Sequence, residues 1–305
     1  MLITELIEQF VTYLEKERTL SEQTVRAYRN DLEQMAEWLA KNLSITTADR
    51  FEKLSLIQIR SYWAFRRTNG LSQTSMCRGQ SALRTLIKFA RRRKIIDRDP
   101  AQGMDSPRKP RSLPKALAYD DVNQMLNVPP ADTFMGRRDR AILELLYGSG
   151  LRISELADLE ISQLNLAEGQ ARVCGKGKKE RLVPLTPASC TTLETYLIGR
   201  KAQFIGIENE SAVFLNRYGK PITARSIARM IDKYARELAM MMNITPHQFR
   251  HSFATHLLNN GADIRAVQEM LGHESLSTTQ IYTRISKEKL LSTYKNTHPR
   301  AGGKV

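Results

Sequence analysis

Residues 245–283 read T-P-H-Q-F-R-H-S-F-A-T-H-L-L-N-N-G-A-D-I-R-A-V-Q-E-M-L-G-H-E-S-L-S-T-T-Q-I-Y-T. Thr245 and Pro246 are typical of a helix start, with a capping hydroxyl followed by proline at the first helical position. The apolar residues that follow recur at helical spacing: Phe249, Phe253, Leu257 and Leu258. A second helix is predicted from Asp263 to Leu271, and Gly272 is expected to end it. The stretch therefore predicts two consecutive helices.

Four polar side chains in this stretch are candidates for binding an anion and moving a proton. His247 and Arg250 are three residues apart, so they share one face close to the helix N-terminus. Partial positive charge and free N–H groups favour an anion at that end. His273 follows the second helix, and Tyr282 comes nine residues later. The alternative interpretation is an ordinary helical hairpin with scattered polar residues.

Length and composition are those of a globular chain with two domains. At 305 residues, two domains of about 150 residues each are expected. A hydrophobic content of 41% supports true cores, and no apolar run approaches the roughly 18 residues of a membrane span. Acidic residues in the opening M-L-I-T-E-L-I-E-Q-F argue against an export signal. We therefore expect a cytoplasmic protein without membrane insertion.

The cysteines and histidines do not form a recognisable metal-binding pattern. The cysteines are Cys77, Cys174 and Cys190. Their number is odd and they include no C-x-x-C pair, so we expect reduced thiols. His247 and His251 are four residues apart, but the glutamate of an H-E-x-x-H motif is missing between them. We therefore expect no metal ion, and we expect His251 and His256 to be structural.

The positive charge of the chain is concentrated in one region. The formal net charge is +15, yet residues 1–49 carry net −4, residues 50–110 net +11 and residues 111–305 net +8. A folded region as basic as 50–110 indicates a polyanionic partner, with DNA or RNA as the leading candidates. The alternative is a solvated basic face that maintains solubility, and the charge alone does not separate the two.

Residues 1–98 are predicted to form a four-helix domain. Amphipathic patterns place one helix at 2–17 and three others after Thr19, Ser55 and Ser72. The third helix is expected to turn four residues inward: Ile59, Tyr62, Trp63 and Phe65. The third and fourth helices carry most of the positive charge of this domain. A bundle with one basic side is suited to lie along the phosphates of a nucleic acid.

Residues 99–117 are predicted to be an extended, semi-rigid linker. Four prolines interrupt the helical period there: Pro100, Pro107, Pro110 and Pro114. A stretch of this length without apolar periodicity is unusual within one domain, so we place the domain boundary here. The second domain then comprises residues 118–305.

The second domain is predicted to combine α-helices with a small β-sheet. Helices are expected at about 120–126, 138–147, 187–203 and 223–240. Residues 170–174 and 181–185 are predicted to be short strands, and G-K-G-K-K-E at 175–180 predicts a hairpin turn carrying lysines. Taken alone, such lysines are more often solvated than catalytic, and Tyr282 alone would be a half-buried core tyrosine.

Four features that carry chemistry follow one another along the chain. They are Arg152 after G-S-G-L, Lys176 in G-K-G-K-K-E-R, H-Q-F-R-H at 247–251, and L-G-H-E-S-L-S-T-T-Q-I-Y-T at 271–283. With them the chain resembles the tyrosine recombinases of the phage integrase family, bacterial Xer type, over nearly its whole length. The ending T-H-P-R-A at 297–301 is more similar to the XerC branch than to the XerD branch. The resemblance implies a mainly α fold with a small β-sheet, in which a four-helix SAM-like core-binding domain precedes an α+β catalytic domain.

The resemblance also implies catalytic roles for six residues: Arg152, Lys176, His247, Arg250, His273 and Tyr282. Tyr282 matches the nucleophile, and Arg152 and Arg250 match the two arginines that grip the scissile phosphate. Lys176 matches the hairpin lysine that protonates the leaving 5′ oxygen. The two histidines match those that assist proton transfer, and some relatives have tryptophan at the second of these positions.

These residue types suit the in-line cleavage of a phosphodiester. Arginine offers a permanently charged fork to the non-bridging oxygens, on which negative charge develops. A phenol, whose ordinary pKa is about 10, needs a neighbouring base at neutral pH, and histidine can provide one. A lysine can protonate the departing alkoxide. The sequence has neither the acidic cluster of a two-metal nuclease nor a P-loop, so we expect no metal, ATP or other cofactor.

The function implied by the resemblance is site-specific DNA recombination through a covalent 3′-phosphotyrosine. The implied partners are a duplex DNA recombination site and a XerD-like recombinase, in a heterotetramer that resolves chromosome dimers at cell division. Leu290, Leu291 and Tyr294 have an apolar pattern suited to docking on a neighbouring subunit. The alternatives are a DNA-binding regulator without catalysis, a type IB topoisomerase and a metal-dependent nuclease.

Overall fold

A computed structural model describes residues 1–17, 20, 22–104, 116–174, 180–204, 210–238, 244–272 and 287–302. The chain forms two compact units, Met1–Ser112 and Leu113–Val305, and each unit has its own hydrophobic core. The boundary between the units falls inside the predicted linker. The finer division of the chain at residues 98 and 117 stays a prediction.

The first unit is helical. Its helices are α1 (Ile3–Lys16), α2 (Glu22–Leu43), α3 (Ala48–Glu52), α4 (Leu56–Thr68) and α5 (Gln73–Arg92). Ser55 begins α4 with a capping box, and Ser72 caps α5 through the backbone N–H of Ser75. The apolar faces of the helices meet in a core that includes Phe10 and Leu86.

Two details of the first unit differ from the sequence-based prediction. The pattern predicts four helices, and the structure adds the five-residue α3, which is too short to show a helical period. Phe65 is expected to point inward, yet it is 46% exposed, whereas Ile59, Tyr62 and Trp63 are buried. Phe65 lies two residues beyond Trp63, which places it about 200° away around the helix. Its ring therefore lies at the edge of the core.

The second unit is built around one buried helix. Its helices are α6 (Tyr119–Asn127), α7 (Phe134–Ser149), α8 (Ile153–Ala157), α9 (Pro187–Gln203), α10 (Ala224–Glu237), α11 (Pro246–Asn259), α12 (Ile264–Leu271) and α13 (Lys287–Thr297). Most residues of α7 after Arg140 are fully buried, because α6, α9 and α11 pack against it. The mainly helical fold predicted for this part of the chain is confirmed.

A small antiparallel sheet covers one side of this unit, with strand order β1-β2-β3. The strands are β1 (Leu164–Asn165), β2 (Gln170–Cys174) and β3 (Glu180–Pro184). Ala171 pairs with Val183, and both side chains are buried in the core. β2 lies where the sequence predicts it, and β3 begins one residue earlier than predicted. The two-residue β1 carries no periodicity that a sequence pattern could reveal.

The last described residues pack back onto the second unit. Tyr294 of α13 is 2% exposed, and its hydroxyl donates to the carbonyl oxygen of Gly148 at 2.7 Å. Arg300 donates through Nη2 to Oε1 of the buried Glu144 at 2.6 Å. His298 is fully buried between the rings of Tyr147, Phe253 and Tyr294. These contacts fix the C-terminal segment on α7 and α11.

The start of the second unit is attached to α11. The backbone N–H of Leu117 donates to Oγ of Ser252 at 2.8 Å, and its carbonyl lies 3.0 Å from Nε2 of His256. A carbonyl oxygen cannot donate, so Nε2 carries the hydrogen and Nδ1 accepts from the hydroxyl of Tyr147, 2.8 Å away. His256 therefore has the structural role that the sequence predicts.

Candidate active site

A left-handed turn at the end of α7 places Arg152. Gly150 has φ +59°, and a Cβ at this position would lie 2.5 Å from Cδ1 of Phe253, so glycine alone fits. Arg152 then occupies the N-cap position of α8. Its backbone N–H and its Nη1 both donate to the carboxylate of Glu155, at 2.8 and 2.7 Å. The Arg152 side chain stays 39% exposed, so a ligand can reach its guanidinium.

Arg250 reaches the same region from α11. The helix begins as predicted, with Thr245 as N-cap and Pro246 at the first position. Arg250 lies one turn further on and is 6% exposed. Its Nη1 donates to the carbonyl of Gly150 at 2.6 Å. Both candidate arginines are therefore positioned by the same turn after α7.

The C-terminal end of α12 is the point on which the arginines converge. The helix ends at Gly272 in the left-handed conformation, with φ +63°, as the sequence predicts. Its last carbonyl groups lack partners within the helix and carry partial negative charge. Three consecutive carbonyls each accept from a different arginine: Met270 from Arg181 at 3.2 Å, Leu271 from Arg250, and Gly272 from Arg152 at 3.2 Å. The structure thus brings Arg152 and Arg250 together.

Two residues of this cluster were not predicted from the sequence. Glu155 is 8% exposed, and its two carboxylate oxygens accept from Arg152 and also from Nη1 and Nη2 of Arg181, each at 2.8 Å. Arg181 lies on β3, directly after the lysine-containing sequence 175–180. For Glu155 there was a local signal, because it stands three residues after Arg152, at the capping-box position. For Arg181 there was none.

The electrostatics of the cluster are dominated by positive charge. Burial acts to raise the pKa of Glu155, but hydrogen bonds from Arg181 and Arg152 outweigh it and hold that pKa at about 2. Burial, followed by the charge of Arg152, lowers the pKa of Arg250 to about 10. At neutral pH three guanidinium groups therefore face one carboxylate. The imbalance favours an anionic ligand.

The other candidate residues are placed only in part. His247 is exposed in the first turn of α11, three residues before Arg250, as the spacing predicts. Lys176, His273 and Tyr282 lie outside the described residues. The roles of all six residues stay predictions.

Two further properties concern the described part of the chain. Within it, no group of three histidine, cysteine or acidic side chains is arranged to hold a metal ion. No helix in these ranges is both long enough and apolar enough to span a bilayer.

Comparison with known proteins identifies the fold of both units. A family profile described as "Phage integrase, N-terminal SAM-like domain" matches residues 7–94. A second profile, "Phage integrase family", matches residues 115–289, which is more than half of the chain. The chain belongs to the phage integrase family. It is a tyrosine recombinase, an enzyme class that cleaves and rejoins DNA in site-specific recombination.

Recombinases of both Xer names are similar to this one over nearly the full length. Tyrosine recombinase XerC of Myxococcus xanthus is 42% identical over 307 residues, covering 98% of this chain and 99% of the relative. Tyrosine recombinase XerD of Staphylococcus saprophyticus is 40% identical over 296 residues, covering 97% and 99%. Since the two identities are close, they establish the Xer type and leave the branch open.

A solved recombinase structure agrees with the fold. XerH site-specific recombinase bound to palindromic difH substrate, in a post-cleavage complex, matches with a TM-score of 0.69 at 22% identity. The match covers 95% of this recombinase and 84% of XerH. At this identity the likeness concerns the fold alone. It confirms the prediction of a helical SAM-like domain followed by a catalytic domain.

The geometry of the cluster suits the recognition of a phosphate group. A guanidinium has five N–H donors. Arg250 uses two of its donors in the bonds to Gly150 and Leu271. Arg152 uses two of its donors in the bonds to Glu155 and Gly272. The bonds to described residues thus leave donors on each arginine for a ligand, while its position is fixed by the protein. Such preorganised donors stabilise charge that develops in a transition state.

Proposed function

We propose that this recombinase cuts and rejoins duplex DNA through a covalent 3′-phosphotyrosine on Tyr282. Arg152 and Arg250 hold the non-bridging oxygens of the scissile phosphate. His247 and His273 assist proton transfer and hold the phosphate, and Lys176 acts as the acid. No metal or other cofactor takes part.

The convergence of Arg152 and Arg250 on one end of α12 carries this proposal. Together with Arg181, the two guanidinium groups bring three positive charges to one place, against the single negative charge of Glu155. A phosphodiester fits this excess, and two forks can bind its two non-bridging oxygens at the same time.

The reaction consists of two balanced phosphoryl transfers. In the first, Oη of Tyr282 loses its proton to a base and bonds to phosphorus, while the bond from phosphorus to the 5′ oxygen breaks. That oxygen takes a proton from Lys176. In the second, a 5′-hydroxyl of the other strand gives its proton to Lys176 and bonds to phosphorus, while the bond from phosphorus to Oη of Tyr282 breaks. The phenolate takes back the proton held by the base. The phosphotyrosine ester conserves the energy of the phosphodiester bond that was broken, so rejoining needs no ATP.

A nicked substrate tests the covalent step directly. The recombination site is first found by sequencing the genomic fragments that the protein retains. A nick close to the cleavage position lets the short product diffuse away, which traps the adduct. Tyr282→Phe is expected to abolish the adduct, whereas the matched change Tyr218→Phe, at an exposed tyrosine, is expected to keep it. A wild-type protein that never forms an adduct would contradict the proposal.

The same substrate separates the alternative functions. A regulator without catalysis gives no adduct. A type IB topoisomerase relaxes supercoils on arbitrary DNA, whereas a recombinase requires its specific site. A metal-dependent nuclease stops when EDTA is added, and the proposed reaction continues.

The proposed cellular role is the resolution of chromosome dimers at cell division, in the cytoplasm. The protein acts there in a heterotetramer with a XerD-like recombinase, as the XerC branch to which its ending is similar. The test is recombination of a plasmid carrying two sites, with the purified protein alone and with a XerD-like recombinase from the same genome. Full recombination by this protein alone would contradict the need for a partner.

The C-terminal segment is the proposed contact between subunits. Tyr294 is buried within its own chain, whereas Leu290 and Leu291 are partly exposed on α13. The exposed parts of Leu291 and of Leu290, which also packs against the core around Phe253, are therefore proposed to contact a neighbour. Replacing Leu290 and Leu291 with serine, which keeps the contacts of Tyr294 and Arg300 with α7, is expected to abolish cooperative assembly on DNA in gel-shift titrations. Intact cooperativity would refute this contact.

A further inference from the structure

Arg181 connects β3 with the arginine cluster. It is the second residue of β3, and its side chain is 14% exposed. Each of its three nitrogens donates a hydrogen bond: Nη1 and Nη2 to the two oxygens of Glu155, and Nε to the carbonyl of Met270. A guanidinium held at all three nitrogens has one position.

Glu155 links Arg181 to Arg152 through hydrogen bonds. Its side chain is 4% exposed, and each of its oxygens accepts one bond from Arg181 and one from Arg152. A buried carboxylate keeps its charge when it is paired and hydrogen-bonded. Without Arg181 the carboxylate is less well compensated, so it becomes a weaker anchor for Arg152.

Arg181 also packs against the second anchor of Arg152. A Cβ at Gly272 would lie 3.1 Å from Cδ of Arg181 and 3.2 Å from its Nε and Nη1. The arginine therefore lies directly on the residue whose carbonyl accepts from Nη2 of Arg152. The two partners that the described residues provide for the Arg152 guanidinium, Glu155 and Gly272, are both in contact with Arg181.

We infer that Arg181 is a positioning residue for strand cleavage, which fixes Glu155 and the end of α12 and through them sets the Arg152 guanidinium at the scissile phosphate. The inference rests on the proposed function of Arg152. Arg181 acts through these neighbours and is assigned no contact with the DNA.

The test compares Arg181 with a matched arginine on the neighbouring strand. Arg172 of β2 is 61% exposed, and its Nε is 3.8 Å from Oε2 of Glu180. Arg172→Gln therefore removes one positive charge from the same sheet without touching the cluster. Single-turnover cleavage of the nicked substrate, the Kd for uncleaved DNA and the urea unfolding midpoint are measured for each variant.

Arg181→Gln is expected to slow cleavage by about 100-fold, the scale of a small misplacement of a catalytic group, while its Kd matches that of Arg172→Gln. Arg181→Lys is also expected to be slow, since an ammonium cannot bridge two carboxylate oxygens and a carbonyl as the fork does. If the cleavage rate of an Arg181 variant falls only in proportion to its fraction of folded protein, the inference is overturned.

A double-mutant cycle with Glu155→Gln tests the route of the effect. If Arg181 acts through Glu155, Arg181→Gln costs much less cleavage in the Glu155→Gln background than in the wild type. Full additivity would overturn the inference. If the wild-type protein forms the adduct and the Arg181 variants cleave as fast as it does, this inference alone is refuted. If the wild-type protein forms no adduct, the proposed function is refuted.

Discussion

Arg152 and Arg250 donate to consecutive carbonyl oxygens at the end of α12, those of Gly272 and Leu271. The two arginines come from segments almost a hundred residues apart, and a helix terminus aligns them. Partial negative charge at that terminus offsets part of their mutual repulsion. The same helix end therefore holds two like charges close together in the absence of a ligand.

Replacing Arg250 with lysine tests whether the fork geometry matters. Arg250→Lys keeps the charge and loses the bidentate donor, so we expect cleavage to fall by about 10²–10³-fold, as for a lost oxyanion donor. The matched control is Arg236→Lys, at an arginine whose side chain is 78% exposed and paired with Asp232. The measurement is the rate of adduct formation on the nicked substrate. Equal rates in the two variants would contradict a phosphate-holding role.

Gly150→Ala is expected to damage the turn that places both arginines. A Cβ in this left-handed position costs about 1–2 kcal/mol, and here it would also strike Phe253. Gly261 has φ +86°, and a Cβ added there would meet nothing within 4 Å, so Gly261→Ala carries the backbone strain without the clash. We expect Gly150→Ala to lower the urea midpoint further than Gly261→Ala. Equal midpoints would show that the close contact with Phe253 costs nothing.

The Glu155 ion pairs predict a loss of stability in acid. The pKa of Glu155 is about 2 in the folded protein, against 4.5 as the ordinary value. A carboxylate with a lowered pKa stabilises the fold above pH 4.5, and this contribution is lost as the pH falls towards 2. Glu155→Gln is therefore expected to be less stable at neutral pH and to show a flatter dependence between pH 5 and pH 2. Urea titrations at several pH values measure this, and an unchanged slope would argue against the ion pairs.

His298 predicts a second loss of stability at milder pH. Burial lowers its pKa from 6.5 to about 3, and its Nε2 has no hydrogen-bond partner among the described residues. The unfolded chain takes up a proton below pH 6.5 while the fold resists it, so stability falls by about 2 kcal/mol between pH 6.5 and 5. His298→Phe is expected to reduce this slope, and His256, whose pKa burial also lowers, contributes to what remains. Tyr294→Phe should lower stability by a constant amount and keep the slope, and a His298→Phe variant with the wild-type slope would contradict the assignment.

The basic region of the first unit predicts a salt-dependent contact with DNA. Lys88 is exposed on α5, within the segment that carries net +11. If it contacts a phosphate, Lys88→Ala reduces the slope of log K against log salt by about 0.9. Lys41 is equally exposed but lies in the segment with net −4, so Lys41→Ala is expected to keep the wild-type slope. Fluorescence anisotropy at several salt concentrations distinguishes the two.

The sequence predicted those parts of the site that depend on local structure. The start of α11 at Thr245 and the end of α12 at Gly272 follow from capping and left-handed backbone preferences, so His247 and Arg250 could be placed on their helix in advance.

Partnerships over long separations could not be predicted in the same way. The pairing of Glu155 with Arg181 joins residues 26 positions apart, and the bond from Arg152 to Gly272 joins residues 120 positions apart. Neither leaves a periodic signal, because each depends on how β3 and α12 pack against α8. Very short elements such as α3 and β1 were missed for a related reason, since a period needs several repeats to be visible.

The attachment of Leu117 to Ser252 and His256 has a practical consequence for building chimaeric recombinases. Two hydrogen bonds tie this residue to the helix that presents Arg250, so Leu117 is part of the packing that supports that helix. A foreign DNA-binding module joined upstream of residue 116 leaves both bonds in place. A fusion point a few residues later would remove both hydrogen bonds. A loss of activity caused by the junction could then be attributed wrongly to the foreign module.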